Sequence, residues 1–192
     1  TDLRSVITDV TITAWNEKDG LPAALIGALA QDREGYLWVG TRLGLLRFDG
    51  AHFTKWQPSG NGPLPGDWVR SLFASRDGAI WVGFDGGVVA RIDGANLASF
   101  TLGTSAARGS VLTLAQDSAG VIWAGGENGL HAYDGSRWVD WGPERGVPES
   151  TVYSAFGDRT GVVYVAAGRG IYARQPGRDT FEQLASFGDT FG

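Results

Sequence analysis

A stretch of about 42 residues is repeated four times along this chain, and this internal period restricts the fold more than any other feature. Each copy places a Gly three residues before an aromatic residue, and in three of the four copies an Asp stands three residues before that Gly. In the second copy Ser75 holds that position and Asp77 directly precedes the Gly. The aromatic residues are Trp38, Trp81, Trp123 and Tyr164. Asp-Gly pairs that favour tight hairpins follow at Asp49, Asp93 and Asp134. The chain therefore contains four copies of one structural unit.

Each copy contains four short apolar runs of strand length, which we designate strands a to d. A unit of four antiparallel strands every ~40–45 residues is typical of a β-propeller blade. Strand b is apolar at consecutive positions, as expected where blades stack on both of its faces. The sequence predicts an all-β protein: a β-propeller with about four blades, either a partial or a small propeller.

The predicted boundaries follow from the repeat, in one propeller region that spans residues 1–192. The four blades are predicted at 22–56, 65–100, 108–141 and 148–184, and a tail at 185–192. Residues 10–15 resemble an isolated strand d. We expect this outer strand either to complete the last blade and close the ring or to form an orphan edge.

Composition excludes several function classes. The net charge is −5 and the basic residues are scattered, so we expect no nucleic-acid partner. There is no Cys, and thus no disulfide or thiolate metal site, and we predict no metal and no cofactor. No apolar run has the length of a membrane span. Because the chain has no Met, we expect it to be part of a longer or processed protein, attached to a membrane only through a segment missing here.

No catalytic residue is predicted. His52 and His131 occupy non-equivalent positions in two copies, and we interpret both as structural or solvated. The repeated Asp-x-x-Gly turns could suggest calcium loops, but an Asp that accepts backbone N–H groups inside its own turn explains them better. We therefore expect that the protein is not an enzyme.

The linkers make the repeat more specific. Asp19-Gly20-Leu21-Pro22 precedes the first blade, and the segments 31–41 and 44–50 complete the pattern. This pattern resembles the two-component regulator propeller repeat. The resemblance implies the periplasmic sensor region of a membrane-bound histidine kinase, hybrid kinase-regulator or diguanylate cyclase. It also implies a carbohydrate-like or other small polar ligand, with output through a kinase or cyclase module absent here.

Members of that family resemble seven-bladed rings, whereas this chain has four blades. Three alternatives stay open: a fragment of a larger sensor, which we favour, a closed four-bladed ring, and a symmetric pair that completes a larger ring. An unclosed arc would expose the apolar faces of its first and last blades, and such surfaces favour self-association.

The positions at which the copies differ are the candidate ligand-binding residues. They lie in the b–c and d–a loops, which vary on a constant framework. The candidates are Arg42, Asp67, Trp68, Asp85, Arg108, Glu127, Asn128, Glu149 and Arg169. Trp68 is the strongest, because the other copies place Leu25, Val111 and Val152 near that position. The competing interpretation of Trp68 is simple packing beneath its loop.

Two functions follow. The first is a periplasmic, non-catalytic sensor of a small polar ligand such as an oligosaccharide. The alternative is a structural or protein-interaction propeller that associates with itself or with another protein.

Overall fold

Four antiparallel sheets form the chain, as a computed structural model shows for residues 13–59, 62–103 and 109–187. Each sheet has four strands in sequence order, and the predicted all-β architecture of four-stranded blades is confirmed. The strands are β1 (Ile26–Gln31), β2 (Leu37–Thr41), β3 (Gly44–Phe48), β4 (Phe53–Lys55), β5 (Val69–Ala74), β6 (Ile80–Phe84), β7 (Val88–Asp93), β8 (Asn96–Thr101), β9 (Val111–Gln116), β10 (Ile122–Gly126), β11 (Gly129–Tyr133), β12 (Trp138–Trp141), β13 (Val152–Gly157), β14 (Val163–Ala167), β15 (Gly170–Arg174) and β16 (Glu182–Ser186).

The observed strands lie within the predicted blade ranges with two exceptions. Strand β8 ends at Thr101, and β16 continues to Ser186, inside the predicted tail. The outer strand predicted at 10–15 is not observed over residues 13–15, and residues 10–12 lie outside the described part of the chain. The fourth blade instead has its own outer strand, β16. Trp15 packs edge-on against Phe48 of blade 1, with ring centroids 5.1 Å apart.

The repeated Asp fixes the turn before the second strand of a blade. Oδ1 of Asp32 accepts the backbone N–H groups of Glu34 (3.0 Å) and Tyr36 (2.9 Å), and its Oδ2 accepts the indole N–H of Trp38 at 2.8 Å. One carboxylate therefore ties the turn to the buried ring of the next strand. Asp117 makes the equivalent three bonds in blade 3. The expected turn geometry is thus observed.

Two blades lack this link to the ring. Blade 2 has Ser75 at the Asp position, and Nε1 of the buried Trp81 has no partner among the described residues. Blade 4 keeps Asp158, which accepts the backbone N–H groups of Thr160 and Val162, but has Tyr164 in place of Trp.

Neighbouring blades interlock through a glycine. The first residue of each inner strand packs on the Gly of the second strand in the preceding blade: Val69 on Gly40, Val111 on Gly83 and Val152 on Gly125. A β-carbon at Gly125 would lie 2.5 Å from Cγ1 of Val152, so no larger residue fits there without a shift. Three apolar clusters fill the blade 1–2, 2–3 and 3–4 interfaces.

The four blades form an open arc. The inner strands pack in sequence order, β1 on β5, β5 on β9 and β9 on β13, whereas β13 and β1, both fully described, do not pack on each other in this way. At the first end Ile26 is 51% exposed, although the equivalent Val69 is fully buried. At the other end Tyr153 and Phe156 are exposed. The closed four-bladed ring, one of the three alternatives from the sequence, is therefore not the observed arrangement.

Candidate functional site

A continuous line of contacts joins the variable loops of blades 1 and 2. The guanidinium of Arg42, in the β2–β3 turn, lies 4.9 Å from the centre of the Trp68 ring. Arg70 approaches the same ring to 4.2 Å, and its Nε lies 3.3 Å from Oδ1 of Asp85 in the β6–β7 turn. Trp68 is therefore held by two cations in a half-buried position.

The same line continues into blade 3. Oδ1 of Asp85 accepts the hydroxyl of Ser110 at 2.6 Å, and the backbone N–H of Ser110 donates to Glu127 at 3.0 Å. The amide oxygen of Asn128 accepts the N–H of Gly109 at 3.1 Å. Five predicted site residues are thus brought onto one face. The b–c turns of blades 1 and 2 contact the start of the next inner strand, whereas that of blade 3 contacts the start of its own.

The alignment of Trp68 with the other copies needs a correction. The backbone N–H of Asp85 donates to the carbonyl of Trp68, and the equivalent carbonyls in the other blades belong to Leu25, Ser110 and Thr151. Val111 and Val152 correspond instead to Val69, which is buried between blades 1 and 2. The sequence alignment was one residue out in two copies, and matching the Val that begins each of these three inner strands would have avoided the error.

The other candidates are more dispersed. Asp67 is exposed and lines a cavity of about 310 Å³ beside blade 1. Arg169, in the β14–β15 turn, is exposed, and its carbonyl accepts the N–H of Phe187 at 2.8 Å. Arg108 lies outside the described residues. Glu149 lines a larger cavity beside blade 3.

That larger cavity has a volume of about 520 Å³, and we name it the blade-3 cavity. It is enclosed by the β10–β11 turn, the facing ends of β11 and β12, and the linker that leads to blade 4. The charged and polar residues that line it are Glu127, Asn128, His131, Asp140, Glu144, Glu149 and Ser150. Glu127, Asn128 and Glu149 were predicted from loop variation, and the other four were not.

The centre of the blade-3 cavity is a histidine–aspartate pair. Nδ1 of His131 lies 2.8 Å from Oδ1 of Asp140, and His131 is only 4% exposed. Nε2 of His131, Nδ2 of Asn128 and Oγ of Ser150 are buried and have no hydrogen-bond partner among the described residues. Because buried polar atoms in folded proteins are nearly always satisfied, three such atoms in residues that line one cavity single it out as the candidate binding site. Of the two interpretations of His131, structural or solvated, its burial leaves the structural one.

The pair is particular to blade 3. His131 faces Asp140 across the strand pair, and the equivalent facing residues are Leu46–Lys55, Ala90–Ser99 and Tyr172–Gln183. The sequence comparison missed the pair because it treated strands as framework and looked for variation in loops alone. Variation between copies at the third position of strand c is the signal that could have found it.

The residues of the cavity can bind polar groups but form no evident metal centre. Asp140 and Glu149 offer carboxylate oxygens, whereas Asn128 and Ser150 offer donors. Within the described ranges, no three His, Asp or Glu side chains are grouped so that they could hold a metal ion. A concave site of this volume suits a ligand of disaccharide size.

Part of the chain matches a known family. Residues 20–42 match the model of the two component regulator propeller family. These residues span the linker before blade 1 and the strands β1 and β2, so the match falls on the repeat described above. No curated protein matches this chain.

Solved structures share the fold. The extracellular domain of a putative hybrid two component system from B. thetaiotaomicron superposes with a TM-score of 0.70 and 22% identity, over 88% of this chain and 23% of that one. A second such domain from the same organism gives a TM-score of 0.71 and 15% identity, over 90% and 26%. The chain thus spans about a quarter of their length.

Enzymes share the fold as well. Virginiamycin B lyase from Staphylococcus aureus gives a TM-score of 0.69 and 11% identity, over 85% of this chain and 56% of the lyase. Proteins with this architecture therefore include both sensor domains and catalysts, and the function has to be argued from the site. None of the helical segments in the described ranges is long and apolar enough to cross a membrane.

Proposed function

We propose that this chain is a non-catalytic, ligand-sensing propeller segment of an extracytoplasmic receptor, and that the blade-3 cavity binds its ligand, a small polar molecule. The observation that carries this proposal is that three residues lining the cavity each have a buried polar atom without a partner among the described residues, namely His131 Nε2, Asn128 Nδ2 and Ser150 Oγ. Leaving such an atom unsatisfied costs roughly 1–3 kcal/mol, so a ligand that supplies partners gains from binding there.

The receptor context rests on similarity. The family match and the extracellular domains of two component systems support a sensory role. On this proposal the chain lies in the periplasm, and binding is relayed to a kinase or cyclase module of the complete protein. The non-catalytic role rests on the same similarity to sensor domains.

Ligand binding can be measured directly because the chain has only two histidines. A panel of oligosaccharides and other small polar compounds is added to the protein labelled with ¹⁵N-histidine. A ligand of the blade-3 cavity shifts the imidazole resonances of His131 and raises the melting temperature, whereas the exposed His52 serves as internal control. If no compound moves the His131 resonances selectively, the proposal fails.

A second candidate function is favoured by the exposed end faces of the arc. Leu25, Ile26 and Leu29 are more than half exposed at the first end, as are Tyr153 and Phe156 at the other. We propose that these faces associate with the end faces of a second copy. Such a contact joins two different surfaces and is therefore heterologous.

A further inference from the structure

We propose that the ligand of the blade-3 cavity carries a positively charged amino group, as an amino sugar does. The inference rests on the function proposed above and specifies the chemical class of the ligand. Two independent features support it: the charge of the cavity wall, and the buried Nε2 of His131, a lining residue, which has no partner among the described residues.

The wall of the cavity is acidic. The side chains of Glu127, Asp140, Glu144 and Glu149 line it, and no Lys or Arg of the described chain does so. All four are exposed, and carboxylates grouped around a concave site produce a negative potential that attracts cations. The cavity therefore favours an ammonium group over a neutral hydroxyl or an anion.

The carboxylates keep free acceptor capacity. Glu127 uses Oε2 for the N–H of Ser110, and Asp140 uses Oδ1 for His131. Each retains a second oxygen, and each carboxylate oxygen can accept more than one hydrogen bond. Glu149 is exposed at the rim of the cavity. An ammonium group has three donors and no acceptor, so it matches a wall that mainly accepts.

His131 adds a buried acceptor to the same wall. Its Nδ1 is 2.8 Å from a carboxylate oxygen of Asp140, and this contact assigns the proton of the neutral ring to Nδ1. Nε2 then carries a lone pair, and it has no partner although the residue is 4% exposed. A donor on the ligand would satisfy it.

Arg145 is a cation that contacts two residues of the cavity lining. Its guanidinium lies 4.5 Å from the centre of the Trp141 ring, and its Nε is 4.0 Å from Oε1 of Glu144. It therefore offsets part of the charge of Glu144. The other three carboxylates have no Lys or Arg partner among the described ion pairs, so the cavity stays acidic.

The test compares two ligands that differ mainly in this charge. The glucosamine disaccharide and its di-N-acetylated form are titrated into the intact chain at low salt, by calorimetry and by the histidine resonances. We expect the amine form to bind at least about tenfold more tightly and to lose affinity as salt is added. We also expect its binding to shift the His131 resonances and not those of His52.

Two Glu→Gln variants test which carboxylates attract the amine. Glu149→Gln removes one carboxylate from the cavity rim, and Glu182→Gln removes an exposed one from β16, outside the cavity. We expect the Kd of the amine form to rise about 3- to 10-fold in the first and to stay unchanged in the second. The acetylated form should respond to neither.

The outcomes separate this inference from the proposed function. If the acetylated form binds as tightly as the amine form and shifts His131, the amine inference is overturned while the sensing function stands. If both variants weaken the amine form equally, the attraction belongs to the general surface charge and the inference is also overturned. If neither sugar shifts His131 up to about 10 mM, the inference fails. The proposed sensing function also fails if no compound of the wider panel shifts the His131 resonances.

Discussion

Asp117 and Asp158 occupy equivalent positions in neighbouring blades, but different contacts depend on them. Asp117 is 2% exposed, accepts the indole N–H of Trp123 at 3.2 Å and lies 3.6 Å from Nη1 of Arg174. Asp158 is bonded within its own turn only, to backbone groups and to the hydroxyl of Thr160. The same repeated residue therefore has a core role in blade 3 and a local role in blade 4.

The first prediction follows from this difference. Asp117→Ala leaves a buried indole N–H without an acceptor and Arg174 without its counter-ion, so we expect a loss of about 2–4 kcal/mol in the free energy of unfolding. Asp158→Ala removes turn bonds alone and should cost markedly less. Urea unfolding of both variants measures the difference, and equal losses would contradict the assignment.

The second prediction concerns Asp77, the charged residue in the variant turn of blade 2. The Ser75 hydroxyl, followed by Arg91, holds the pKa of Asp77 down at about 2. Because the pKa of Asp77 is lower in the folded protein than in the unfolded chain, its charged carboxylate stabilises the fold fully above pH ~4. This stabilisation is lost as the pH falls towards ~2. Ser75→Ala should therefore raise the pKa of Asp77 and weaken this acid dependence. Carboxyl ¹³C shifts followed from pH ~6 to ~1.5 would show it, and an unchanged titration would refute it.

At the scale of the element, the repeat predicted the sheets well because local chemistry determines them. Asp-Gly turns, consecutive apolar residues in strand b and the Asp-x-x-Gly turn are all short-range features. The His131–Asp140 pair could not be predicted in this way, because its contact is made across two strands and its burial depends on the linker to blade 4. Equally, the exposure of Ile26 depends on the absence of a packed neighbour, which the sequence of one strand does not show.

The third prediction tests the interlock between blades. Gly125→Ala would place a β-carbon 2.5 Å from Cγ1 of Val152 and 2.8 Å from Cγ2 of Thr113, so we expect a loss of about 1–3 kcal/mol through overpacking. Val152→Ala in the same chain should recover part of that loss. Ala166 holds the equivalent position in blade 4, where no later inner strand packs, so Ala166→Val should be tolerated better. Denaturant unfolding of the original chain, Gly125→Ala, Val152→Ala, the double variant and Ala166→Val decides, and a fully additive double variant would contradict direct contact.

At the scale of the whole molecule, the arc has two unlike ends. The first end presents Ile26, which projects as Val69 does, and the last presents Ala166, on which no described inner strand packs. Every internal interface of the arc packs such a projecting residue on such a small one, so the two ends complement each other. The arc can therefore be extended by the contact that it already uses three times.

The fourth prediction is that this complementarity causes self-association. Ile26→Lys and Leu29→Lys place charges on the exposed inner-strand face and should shift the chain towards monomer in light scattering. Leu43→Lys is the matched control, since Leu43 is similarly exposed but lies in the β2–β3 turn. If the unaltered chain is monomeric at high concentration, or if the control has the same effect, the end faces do not associate.

The central claim is that the function lies where blade 3 departs from its copies, and blade 1 provides the test. The fifth prediction concerns the double variant His131→Leu with Asp140→Lys, which gives blade 3 the pair that blade 1 has at Leu46 and Lys55. The measurement is its affinity for a ligand found to shift the His131 resonances. We predict a folded protein with a melting temperature close to that of the original chain and at least about a hundredfold weaker binding. Unchanged affinity in the folded double variant would contradict the account.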